Sequence, residues 1–246
     1  NIDQVQFKDR SGLILSKFGA EVLYCPEVIS MKDLKIALNN SWLYADVFEL
    51  QTPNGPSDFR DFVHKVRFNA ALKNTKLSLQ DVAYFVPAIW GMTDRVNLHT
   101  ANITGPVYGM KIKDLHLTML DETILKGRLE IPKNMDKMDE AYFLERIKLF
   151  QTSVADVEKL NLSPFLEDGK KHLEIPNEYR AANKIRVVEA HMDGYLSSFV
   201  VDGDVYSGLG DIHSANGLKF FKGTREQCQL NNVPYTGKDT VYYYVG

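Results

Sequence analysis

Cysteine is nearly absent from this chain, and the two copies that occur cannot build a metal motif. Cys25 and Cys228 lie far apart, with no second cysteine or histidine at the spacing of metal ligands. This excludes a zinc finger and a scaffold stapled by many disulfides. A single disulfide between the two cysteines and a pair of reduced thiols are both compatible with the sequence.

Long apolar runs and a charge excess are also missing. No apolar run approaches the roughly 20 residues of a membrane helix, so we expect no membrane span. The formal net charge is -3, which gives no general attraction for nucleic acid or anionic membranes. No phosphate-binding loop, dinucleotide fingerprint, nucleophile elbow or HExxH motif occurs. We therefore expect no cofactor.

Strand-like patterning dominates what is present, above all in residues 184–222. Segments Ile185–Ala190, Tyr195–Val201 and Leu218–Phe221 are rich in β-branched and aromatic residues, and clusters of Gly, Asp, Asn and Ser separate them. The pattern predicts a hairpin, a wider loop and a returning strand. We interpret Asp-Gly at 193–194 and Asp-Gly-Asp at 202–204 as turns.

Helical spacing appears in two other parts of the chain. Apolar residues at 143, 144, 147, 150, 154, 157 and 160 fit a period of 3.6 and predict a long helix near 138–160. The spacing of Leu34, Leu38, Leu43 and Val47 predicts a helix in the first seventy residues, and residues 59–68 predict another. The fold class expected is α+β, with mixed or antiparallel strands and a C-terminal β-meander. We find no internal repeat and expect a single domain over 1–246, with a possible subdivision near 132–136.

The sharpest catalytic candidate is the tetrad His116-Leu117-Thr118-Met119. The pattern His, apolar, Thr or Ser, apolar resembles one half of the signature of 2H phosphoesterases. In that family two such tetrads face each other, the histidines act as general acid and base, and the hydroxyls hold the phosphate. No second tetrad occurs, so His191 or His213 would have to assist. A strand histidine with no catalytic role is the alternative interpretation.

A metal or acid/base cluster is the second candidate. Its ligands would be imidazoles and carboxylates from the C-terminal meander, if the turns met at one end of a sheet. The residues are His191, Asp193, Asp202, Asp204, Asp211 and His213. The same aspartates suit hairpin turns, which is the competing explanation.

A family resemblance involves the N-terminal region. Residues 19–28, GAEVLYCPEV, then Asp33-Leu34, Trp42-Leu43-Tyr44 and residues 54–68, NGPSDFRDFVHKVRF, resemble the N-terminal third of neck and tail-completion proteins of contractile-tailed phages. The similarity covers about residues 19–79, and the family's acidic Gly-Glu-Asp element after the proline is missing.

The resemblance implies a virion protein without catalytic residues. Such a protein forms a ring at the junction of head and tail, so its partners would be identical copies and other virion structural proteins. We expect a structural or assembly protein on this basis. The alternatives are a phosphodiester-acting enzyme of the 2H type and a β-rich module that binds a ligand through exposed Tyr or Trp.

Overall fold

One antiparallel sheet makes up most of the molecule. The computed structural model describes residues 7–8, 10, 12–86, 89–135, 137, 140–166, 169–175, 177–180, 183–195, 198–207, 210–211, 215–222 and 241–244. Among the described residues, strands account for 58% and helices for 13%. The expected α+β class is therefore wrong, and the protein is mostly β.

The strands follow one another along the chain. They are β1 Phe7–Lys8, β2 Ile14–Leu15, β3 Lys17–Cys25, β4 Val28–Ala37, β5 Trp42–Gln51, β6 Arg67–Ser78, β7 Arg95–Pro106, β8 Lys111–Met119, β9 Thr123–Glu130, β10 Tyr142–Ser153, β11 Lys184–Tyr195, β12 Ser198–Ser207, β13 Gly210–Asp211, β14 Ala215–Lys222 and β15 Val241–Tyr244. The helices are a 3-10 helix Pro56–Asp61, α1 Phe62–Lys65, α2 Leu79–Val82, α3 Val154–Lys159 and α4 Asn177–Arg180. In the described part of the chain, no helix has the length and apolar character of a membrane span.

The sheet is a meander in which neighbours in sequence are neighbours in space. Its thirteen strands run in the order β15-β14-β12-β11-β10-β9-β8-β7-β6-β5-β4-β3, with β13 paired to β12, while β1 and β2 form a separate pair. Strands β9 and β10 are directly hydrogen-bonded, so the sheet continues past residues 132–136. The segments expected to form the C-terminal meander lie in β11, β12 and β14.

A line of β-bulges crosses this sheet at mid-strand. Register shifts place an extra residue in most strands from β4 to β11, and each extra residue is polar. Four of them, Asp33, Asn74, Asp114 and Glu189, have φ between 45° and 50°, which Asp and Asn tolerate better than most residues. A bulge bends its strand, so the whole sheet is bent along this line.

The core lies on one side of the sheet, beside the bulges. Residues that flank the bulges on this side are at most 6% exposed: Leu34, Ala45, Leu72, Ala101, Leu115 and Ala190. Burial this deep in a single-layer sheet fits the inside of a bend. Around this row lie partly buried apolar side chains, among them Phe18, Ile36, Phe48, Ile103 and Leu125. We call this side the apolar face and the other the polar face.

The predicted long helix near 138–160 is wrong. Residues 142–153 form β10, and only the six-residue α3 follows it. The bulge at Lys148 explains the error. It places Ile147 and Phe150 on the same face although they are three residues apart, which is the spacing of a helix.

The predicted helix over Leu34, Leu38, Leu43 and Val47 is also wrong. This segment forms β4 and β5 instead. Met31 and Leu34 are both buried on the apolar face, because the bulge at Asp33 lies between them. In residues 59–68 only the end of the 3-10 helix and the four-residue α1 are helical before β6 begins.

The sheet also contains an internal repeat, contrary to our expectation. The first unit is β4, β5, β6, α2 and β7, and the second is β8, β9, β10, α3 and β11. Lys-Asp-Leu ends at the core position in both units, at 32–34 and 113–115, and Ser-x-x-Asp-Val begins the helix in both, at 78–82 and 153–157.

The strand registers of the two units agree. Ala45, Leu72 and Ala101 are cross-strand partners in the first unit. Gly127, Ile147 and Ala190 are partners in the second. A Cβ at Gly127 would come within 2.3 Å of the Arg146 carbonyl oxygen, so only glycine fits where the first unit has alanine.

In each unit, a buried aspartate of the helix accepts hydrogen bonds from the turn between the first two strands of that unit. Asp81 accepts hydrogen bonds from the Asn40 amide at 2.8 Å and the Ser41 hydroxyl at 2.6 Å. Asp156 accepts hydrogen bonds from the turn at 121–123 in the second unit. Both carboxylates therefore satisfy backbone donors that would otherwise be unpaired in a turn.

Candidate functional site

The tetrad His116–Met119 lies on β8 in the second unit, and a second histidine stands beside it. His99 stacks on His116 with ring centroids 4.4 Å apart. Its Nε2 lies 3.1 Å from the Thr118 hydroxyl oxygen. His99 is the extra residue of the β7 bulge, and the sequence pattern around it gave no sign of this pairing.

Burial and two neighbouring residues lower the pKa of His116. Burial contributes most, and the positive charges of Lys126 and His99 add to it. Lys126 is the direct cross-strand partner of His116 on β9. His116 is therefore neutral over a wider pH range than an ordinary histidine, which is the form that accepts a proton.

The chemistry available to this cluster is limited by its surroundings. Two imidazoles, the Thr118 hydroxyl and the Lys126 ammonium could hold a phosphate and move a proton. His99 is exposed and His116 is half-buried on the open polar face. An active site gains much of its electrostatic strength from excluding water, and neither His99 nor His116 lines either of the two depressions described below.

The other predicted site residues do not join this cluster. His191 lies on β11, three strand spacings from β8, or roughly 14 Å. Asp193 lies on the same strand. Asp-Gly at 193–194 and Asp-Gly-Asp at 202–204, which we expected to form turns, lie within β11 and β12 instead. Asp211 belongs to β13, and His213 lies outside the described residues.

No metal centre is formed by the described residues. Nowhere among them do three His, Cys, Asp or Glu side chains come close enough to hold an ion. Cys25 is a half-buried free thiol at the end of β3. Cys228 falls outside the described residues, so its pairing is untested.

A basic depression lies next to the histidine cluster, on the polar face of the second unit. Its volume is about 440 Å³, and four cationic side chains line it together with Asp114, Leu115 and Gly127. The cations are Lys126, Arg128, Arg146 and Lys148. A second depression of about 310 Å³ shares Arg146 and Lys148 and extends to Glu189 and His191.

The two arginines of this depression are direct cross-strand partners. Arg128 on β9 lies opposite Arg146 on β10, so their Cα atoms are roughly 5 Å apart. Like charges directly opposite each other destabilise a sheet. Within the described part of the chain, neither arginine forms an ion pair or a side-chain hydrogen bond that would offset this.

The sequence contains a signal for this pair that only the repeat makes visible. Val47 and Ala71 are cross-strand partners in the first unit and occupy the place that Arg128 and Arg146 occupy in the second. Neither the overall composition nor any short motif distinguishes the arginine pair from the uncharged pair. In comparisons with known proteins, no family model, curated protein or solved structure matches this chain.

Proposed function

We propose that this protein is a non-enzymatic assembly protein that joins identical copies through the edge of its sheet. The observation that carries the proposal is β3, which forms one end of the sheet. In the described structure β3 has one neighbouring strand, β4. Three consecutive residues of β3 are exposed: Val22 at 38%, Leu23 at 63% and Tyr24 at 65%.

An edge of this kind favours pairing with another strand. It offers a row of backbone donors and acceptors, and its apolar side chains gain from being covered. Proteins that remain monomeric protect such edges with lysines, prolines or bulges, and Val22–Tyr24 carry none of these. Within the strand, the charged residues are Lys17 and Glu21, both before this exposed run.

The single-layer architecture supports the same role. Among the side chains that the structure describes, none of the Phe, Tyr and Trp residues is buried. Trp42, Phe59, Phe85 and Trp90 are each at least 40% exposed. Exposed aromatic surface of this extent is typical of proteins that complete their core by association.

The occupant that fits the edge is a second copy of this chain. The sheet is open, with β3 at one end and β15 at the other, so the β3 edge of one copy can pair with the β15 edge of the next. A head-to-tail contact of this type generates a ring if the rotation closes. A ring in the neck or tail of a phage particle, in contact with other virion proteins, is the setting that the resemblance of residues 19–79 implies.

The test is the mass of the protein in solution, measured by light scattering over a range of concentrations. We expect a defined oligomer for the native chain. Leu23→Lys places a charge in the edge and should shift the protein to monomer. Phe165→Lys serves as the matched control, because Phe165 is exposed to a similar degree but lies outside the sheet. A native chain that stays monomeric at high concentration would refute the proposal.

A second candidate function rests on His99, His116 and Thr118. The contact of His99 with Thr118 supports a phosphodiester-acting enzyme of the 2H type, with His116 as the base. Hydrolysis of a cyclic or linear phosphodiester that is lost in both His99→Ala and His116→Ala would support this candidate. Turnover that survives both substitutions would exclude it.

A further inference from the structure

The basic depression in the second unit is the strongest unexplained feature of the polar face. Four cations converge there, and the described part of the chain provides none of them with a salt bridge. The carboxylate of Asp114 lines the same depression, but its Oδ2 accepts a hydrogen bond from the Asn102 amide at 2.8 Å. The depression therefore has an excess of positive charge.

The first unit shows that the fold does not require this charge. Its equivalent cross-strand pair is Val47 and Ala71, which are uncharged. Its equivalent of Lys148 is Lys73, which forms an ion pair with Asp46. The same backbone frame thus carries a neutralised surface in one unit and an unpaired cationic one in the other.

We propose that the depression lined by Lys126, Arg128, Arg146 and Lys148 binds phosphate groups. An anion between Arg128 and Arg146 would convert their repulsion into two attractive contacts. Guanidinium groups bind phosphate oxygens in a bidentate manner, and lysines add point charges. A phosphate group carries up to two negative charges and several acceptor oxygens, so one or two groups can satisfy four cations.

The source of the phosphate is either a free oligophosphate or the backbone of a single-stranded nucleic acid. The second depression continues the groove from Arg146 to His191, in the direction perpendicular to the strands. An extended chain of phosphates could follow this direction across β9, β10 and β11. The inference goes beyond the assembly role and does not depend on it.

The test compares the native chain with Arg128→Val/Arg146→Ala, which installs the residues of the first unit. Calorimetry with tripolyphosphate and fluorescence anisotropy with a labelled oligothymidylate measure binding. We expect the native chain to bind and the double variant to bind at least about tenfold more weakly. Lys32→Gln/Lys35→Gln, which removes the same charge from β4 on the same face, is the matched control and should bind as the native chain does.

The outcomes separate the two sources and the alternatives. Binding of tripolyphosphate alone identifies a free oligophosphate, and binding of both ligands identifies a nucleic-acid backbone. Equal weakening in the two double variants, or equally tight binding of polyglutamate, would overturn the proposal in favour of nonspecific attraction. Absence of binding to both phosphate ligands would also overturn it.

Thermal stability gives a readout that is independent of affinity. Without phosphate, Arg128→Val/Arg146→Ala should melt at a higher temperature than the native chain, because the like-charge pair is gone. Tripolyphosphate should raise the melting temperature of the native chain and leave that of the double variant unchanged. Light scattering on the same samples shows whether assembly is affected separately.

Discussion

The two units of the sheet share one backbone arrangement and differ in some of the side chains that it carries. In both, Lys-Asp-Leu forms a bulge, a buried row crosses the strands and an aspartate anchors a short helix. On the polar face, Val47 and Ala71 of the first unit correspond to Arg128 and Arg146 of the second. Shared features mark what the fold needs, and the differences indicate where a function beyond folding resides.

One difference on the apolar face introduces a titratable group. Ala70 of the first unit pairs with Ile103, and the corresponding residue of the second unit, Glu145, pairs with Met192. Glu145 is only 9% exposed and accepts a hydrogen bond from the Glu130 amide at 2.9 Å. Burial raises the pKa of Glu145 to about 7, while that hydrogen bond acts in the opposite direction. The second unit therefore carries a carboxyl group where the first has only a methyl.

Replacing the aspartates that anchor the two helices should give the largest difference in stability between the two units. Asp156 accepts hydrogen bonds from the amides of Asp121 and Glu122 and from the Thr123 hydroxyl, at 2.8–3.2 Å. Asp81 has one oxygen without a partner among the described residues. We expect Asp156→Ala to lower the free energy of unfolding by about 3–5 kcal/mol and Asp81→Ala by about 2 kcal/mol. Urea titrations of both variants measure this, and equal losses would contradict it.

The pH dependence of the same variants sharpens that prediction. Burial acts to raise the pKa of Asp156, but the hydrogen bonds from Glu122, Thr123 and Asp121 outweigh it and lower the pKa. A lowered pKa in the folded state stabilises the protein above the ordinary pKa of the carboxyl group, and this contribution is lost as pH falls. The difference between the native chain and Asp156→Ala should therefore shrink when the titration is repeated in acid.

Glu145→Gln tests the buried carboxyl group with a smaller expected effect. The unfolded carboxyl ionises near its ordinary value of 4.5, and the folded one near 7. Stability is therefore lost as pH rises from 4.5 to 7. The variant should match the native chain at pH 4 and exceed it by about 2–3 kcal/mol at pH 8. Chemical unfolding across this range is the measurement, and a constant difference at all pH values would be inconsistent with the raised pKa.

Transplanting the arginine pair into the first unit should have the smallest effect. Val47→Arg/Ala71→Arg places like charges opposite each other, beside an Asp46 already paired with Lys73. We expect a loss of about 1 kcal/mol, which shrinks at high salt because exposed charges are screened. Thermal melts at low and high ionic strength measure it. A salt-independent loss would point to packing rather than charge.

The strand-rich C-terminal half was partly predictable from sequence, because β-branched and aromatic clusters mark its strands. The helix predicted near 138–160 was wrong, because a bulge returns residues three apart to the same face of a strand and so produces helical spacing. In β10 this affects Ile147 and Phe150, and in β4 Met31 and Leu34.

The candidate sites were predictable only in part. His116 and Thr118 stand out as a motif, but His99 reaches them through a bulge that no pattern in a single strand reveals. The arginine pair carries no motif. It becomes visible only when the two units are aligned, since its meaning lies in the contrast with Val47 and Ala71.

The sequential order of the strands has a consequence for how this protein is made. From β4 to β12 each strand pairs with the one synthesised just before it, so no strand of this part of the sheet depends on a distant element for its first partner. As the chain leaves the ribosome, each new strand can add to the sheet already formed, which would leave one growing edge open to other chains at any time.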